Sequence, residues 1–72
     1  MQPEDIAAAT AAVFREHQGR LVALLAARTH DIAAAQDAVA EALRKACEHW
    51  PRQGLPANPA AWLLTAARNH LH

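Results

Sequence analysis

Trp62, Thr65 and Asn69 stand at i, i+3 and i+7. On a helix this spacing puts all three side chains along one side. An indole next to a hydroxyl and a carboxamide makes a flat apolar face with hydrogen-bonding groups at its edge. Such a face can stack on an unpaired base or wedge against a base step. Asn69 offers a paired donor and acceptor to a base edge, and Arg68 can take a phosphate. The plainer alternative has Trp62 packed beneath the Pro51–Ala57 segment as satellite core, because tryptophan is highly buried on average. Arg68 and Asn69 are then an ordinary solvated helix face.

A second group carries charge. Asp37, Glu41, Arg44, Lys45 and Glu48 fall on one face of a helix. They can stabilise that helix through i,i+3 and i,i+4 pairs such as Glu41 with Arg44 and Glu41 with Lys45. They can also dock a partner helix, with Asp37 and Glu41 pairing to partner cations. No metal or cofactor site is expected. His17, His30, His49, His70 and His72 are scattered without a His-x-x-x-His or His-Glu-x-x-His pattern. His17 reads as a core or boundary residue. Cys47 is the sole cysteine, so it closes no intrachain disulfide; it reads as a small packing residue. No Ser/His/Asp or Cys/His arrangement has local support, and the chain is not expected to be an enzyme.

The elements that hold these groups follow from composition. Alanine fills 20 of 72 positions and there are 2 glycines. That favours closely packed helices over strands, so the fold expected is all-α. Helix one is expected over Pro3–Thr29, with Pro3 in its first turn and Glu4 and Asp5 facing the N-terminal dipole. Ile6, Val13, Leu21 and Leu24 form its stripe, with Phe14 and Leu25 at the edge and a weak point at Gly19. Helix two is expected over Ile32–Trp50, capped by Asp31 and ended by Pro51. Its inward set is Ile32, Ala35, Val39, Ala42, Leu43, Ala46 and Trp50. After the Pro51–Ala57 loop, Asn58 and Pro59 open helix three, with Ala60, Leu63, Leu64, Ala67 and Leu71 inward.

Formal net charge is zero, so no global basic field advertises nucleic acid. The first residues lack an apolar signal core and no apolar run reaches a bilayer-spanning length. A soluble cytoplasmic protein without a membrane partner is expected. The chain stops at Asn69-His70-Leu71-His72, within what still reads as helix, which suggests a fragment of a longer chain.

Taken together, Asp31–Leu43 with its Asp37-x-x-x-Glu41, then Trp62-Leu63, then Ala67-Arg68-Asn69 resemble region 2 of the bacterial sigma-70 family, in its small extracytoplasmic-function (ECF) type. The resemblance covers about residues 10–72. The Pro51–Pro59 loop resembles a subgroup whose longer members carry C-terminal extensions. The resemblance implies a three-helix bundle, truncated at its C-terminal end, in which residues 1–72 form one region 2 domain. It implies an RNA polymerase core partner, docked through the β′ clamp helices by Asp37, Glu41, Arg44 and Glu48. It implies recognition and melting of the promoter −10 element. There the loop with Arg52, Gln53 and Asn58 would capture a flipped base, and Trp62, Thr65, Arg68 and Asn69 would meet DNA. An anti-sigma factor or the chain's own C-terminal extension would be the inhibitor.

Three positions depart from the family's usual pattern: Ala40 for Gln, Gln36 for Glu and Leu43 for Phe. The rest of the −10-reading helix and a −35-reading domain are absent from this chain, so the 72 residues alone are expected to initiate poorly. The competing expectation, from another class, is a helical protein–protein or dimerisation module without DNA function. A helix-turn-helix fragment fits less well, because the Pro51–Pro59 loop is too long for the usual tight turn.

Overall fold

Capping chemistry sets the boundaries. In the computed structural model, which describes residues 2–72, α1 spans Pro3–Thr29, α2 Ile32–Gln53 and α3 Pro59–Leu71, and no strand occurs among the described residues. Glu4 and Asp5 lie in the first turn of α1, where the Asp5 carboxylate accepts from the Gln2 N–H at 3.2 Å. α1 continues through Gly19 without interruption. It closes at His30, whose left-handed backbone (φ 58°, ψ 26°) lets its N–H reach the Ala26 carbonyl at 2.8 Å. Asp31 then caps α2, its Oδ1 accepting from the Ala34 N–H at 3.0 Å. Asn58 does the same for α3 through the Ala61 N–H at 3.1 Å. Both caps are those expected from sequence.

α2 does not stop at Trp50. It runs through Pro51 to Gln53. A proline this close to the end removes a single N–H and leaves the earlier bonds intact. The chain leaves the helix at Gly54, whose N–H closes on the Trp50 carbonyl at 2.7 Å. Gly54 has φ 84° and ψ 168°, a region essentially reserved for glycine. Arg52 and Gln53, expected in the loop, therefore sit on the last turn of α2.

The two-residue link His30–Asp31 folds α1 back on α2, and α2 is the shared wall of the bundle. At about 1.5 Å per residue, the 27 residues of α1 account for the 39 Å long axis. Ala35, Ala38, Ala42 and Ala46 are fully buried on one narrow arc of α2, together with Val39 and Trp50. Small side chains there let α1 and α3 approach the same arc from two sides. α1 contributes Ile6, Leu21 and Leu25, and α3 contributes Leu63, Ala66 and Ala67. Thr10 is also buried, its hydroxyl donating to the Ile6 carbonyl at 2.7 Å.

α3 runs back along α2, from Trp62 beside Trp50 to His70 beside Asp37. This corrects two expected core positions. Ile32 is 63% exposed because it lies past the last of these contacts, where only α1 is near. Leu24 is 46% exposed because it faces the α1–α3 furrow, where these two helices touch little. Leu43 is only partly buried, and Cys47 is exposed rather than packed. His17 is a boundary residue on the α1–α3 furrow, as expected.

Candidate binding faces

The outer face of α2 is built first. Arg44 donates through Nε and Nη2 to Glu41 Oε1 at 2.9 and 2.7 Å, and through Nη1 to Glu48 Oε2 at 2.9 Å. One guanidinium thus holds two carboxylates along the helix. Its hydrogen bonds pull the Glu41 carboxyl below the usual range, and Glu41 in turn raises Arg44. Asp37, one turn earlier, meets α3: its Oδ2 lies 3.1 Å from His70 Nε2. Asp37, Glu41, Arg44 and Glu48 therefore form a continuous strip with an acidic excess. The expected Glu41–Lys45 pair does not form, and among the described residues Lys45 joins no ion pair within 4.0 Å.

Lys45 turns instead toward α3. It lines an open groove of about 510 Å³ with His49, Pro56, Asn58, Ala61, Trp62, Thr65, Ala66 and Asn69. No carboxylate lines this groove. Trp62 is half-buried and does both things its sequence context allowed. Its ring packs edge-on against Trp50, centroids 5.3 Å apart at 69°, and it also forms part of the groove. His49 flanks it at 6.3 Å. Thr65 and Asn69 share the groove with Trp62, as their spacing implied. Asn58 commits its Oδ1 to the α3 cap and has its Nδ2 amide left to offer.

Arg68 goes elsewhere. It lines a hollow with Arg28, Thr29 and His72 at the far end of α1, although it adjoins Asn69 in sequence. Arg52 and Gln53 are exposed and line none of the described hollows. Lys45 and His49 are the groove residues that sequence reasoning did not assign to it. Their i,i+4 spacing, ending next to Trp50, is the signal that marks them.

Residues 13–72 match Sigma-70 region 2 as a family. The chain belongs to the Sigma-70 region 2 family. It is also 49% identical over 35 residues to an uncharacterized protein of Rhizobium meliloti (strain 1021), a stretch covering 49% of this chain and 8% of that protein. The match thus spans a small part of that relative's length. No solved structure matches. Sigma-70 region 2 domains serve RNA polymerase binding and promoter recognition and belong to a non-catalytic family of transcription factors. Among the described residues no helix is long and apolar enough to cross a membrane, and no cluster of three or more His, Cys, Asp or Glu could hold a metal.

Proposed function

We propose that this region 2 domain is of the ECF type, docks on the β′ clamp helices of RNA polymerase through α2, and reads and melts the promoter −10 element through α3 and the loop before it. The observation that carries the reading is the division of α2 between two tasks. Its outer strip, Asp37–Glu41–Arg44–Glu48, presents carboxylates already ordered by Arg44. Further round the helix, Lys45 and His49 form one wall of the Trp62 groove. One rigid helix then fixes where DNA lies relative to the polymerase.

The physical sequence is as follows. Partner cations compete with Arg44 for Glu41 and Glu48 and pair with Asp37, where charge-assisted bonds give register as well as attraction. A base must leave the duplex stack before a pocket can read its edge. The groove accepts that base against Trp62, with Thr65, Asn69 and the Asn58 amide at its edge. The exposed side of the indole holds the fork open by occupying the place of the lost neighbour. Arg52, Gln53 and Arg68, which lie outside the groove, serve the phosphate backbone and the flanking strand. The polymerase supplies most of the electrostatic affinity, which suits a domain of zero net charge. This assigns the domain to the cytoplasm, and an anti-sigma factor or a C-terminal extension of the same chain would silence it by covering either face.

The test is the double reversal Asp37→Arg/Glu41→Arg. The helical circular dichroism should stay nearly intact while capture of polymerase core is abolished. Unchanged capture would remove α2 from the docking role.

A further inference from the structure

We infer that Lys45 makes the Trp62 groove selective for a base carrying a carbonyl at its reading edge, guanine or thymine, over adenine or cytosine. The inference rests on the reading of this groove as the place of the unpaired base. Three observations support it. Lys45 has an available carboxylate one turn away in Glu41, yet Arg44 occupies Glu41 and Lys45 faces the groove unpaired. No carboxylate lines the groove to neutralise the ammonium. The Asn58 carbonyl is committed to the Ala61 N–H, so the groove keeps the donor half of that amide.

Ammonium and amide N–H groups converging on one wall ask for acceptors. Guanine O6 and N7 or thymine O4 supply them. Adenine and cytosine turn an exocyclic amino group toward the same donors, leaving both sides unmatched. Trp62 is indifferent to this choice, because every base has a face to stack. Affinity from stacking and selectivity from Lys45 are therefore separable.

The experiment uses the 72-residue chain and short single-stranded oligonucleotides that differ at one central base. Binding is followed by quenching of indole fluorescence. Trp50 is 1% exposed, so the quenching reports Trp62. Guanine and thymine oligonucleotides should bind about tenfold more tightly than adenine and cytosine ones. Lys45→Met, which keeps the aliphatic stem, should bring all four to the weaker level, and Lys45→Arg should keep the preference. Equal binding of all four by the unaltered chain overturns the inference. So does a uniform loss in Lys45→Met, which would make Lys45 a phosphate contact. No quenching by any oligonucleotide at millimolar concentration overturns more, because the groove itself is then not a DNA site.

Discussion

Trp50 and Trp62 meet edge to face, ring centroids 5.3 Å apart and planes at 69°. The contact joins the last turns of α2 to the first turn of α3 and so sets the groove relative to the docking strip. The two indoles are not equivalent. Trp50 is 1% exposed and its Nε1 has no hydrogen-bond partner, whereas Trp62 is half-buried. Trp50→Ala should cost about 3–5 kcal/mol, comparable to the whole stability of a domain this small, and leave the chain largely unfolded. Trp50→Phe should be far milder, because it keeps a ring and deletes an N–H whose unpaired burial costs about 1–3 kcal/mol. Urea denaturation followed by circular dichroism distinguishes the two.

Trp62→Ala should lose the aromatic pairing, about 0.5–1.5 kcal/mol, plus part of its buried area, and stay folded. Carried into a full-length sigma factor, it should impair promoter opening more than core binding. Global unfolding of Trp62→Ala would show that the ring serves the core first.

Two backbone positions make opposite predictions. Gly54→Ala forces a side chain into φ 84°, although nothing lies within 4 Å of the added Cβ. Its cost is therefore conformational, about 1–3 kcal/mol. His30 holds φ 58° with a side chain already present. His30→Gly relieves the left-handed strain, about 1–2 kcal/mol, against the greater freedom glycine has when unfolded. The net effect should be a small gain in melting temperature. Thermal melts of the two variants should move in opposite directions.

Glu41 predicts a pH dependence. Its carboxyl is held low by Arg44. The stability it contributes is thus present above the ordinary glutamate value of about 4.3 and lost as pH falls through the lowered one. Glu41→Gln should melt slightly below the parent at neutral pH, and the difference should vanish in acid. Because the pair is solvent-exposed, raised salt should shrink the difference as well. A difference that grows in acid would contradict the assignment.

Local chemistry was legible in the sequence where tertiary chemistry was not. Asp31 and Asn58-Pro59 announced both helix starts because a cap is made within four residues of itself. The alanine arc of α2 followed from period alone. The end of α2 did not: the proline rule marks a lost N–H at Pro51, while the structure stops the helix only where Gly54 changes backbone region. Ile32 belongs to the inward arc on a helical wheel, but the wheel carries no information about where α3 stops touching α2. Lys45 and Arg44 both stand at pairing distance from Glu41 in sequence. The planar fork of Arg44 reaches Glu41 and Glu48 together, which leaves Lys45 to the groove. Arg68 and Asn69 are neighbours in the chain yet about 100° apart around the helix, and only the position of α1 reveals which side each serves.

The central claim is that this bundle is a polymerase-docking domain. The most direct measurement is titration of purified bacterial RNA polymerase core with the fluorescently labelled chain, followed by competition with a known sigma factor. Saturable binding that the competitor displaces, and that Asp37→Arg/Glu41→Arg abolishes, is the predicted result. Binding that a competing sigma factor leaves untouched, or that survives the charge reversal, would contradict it.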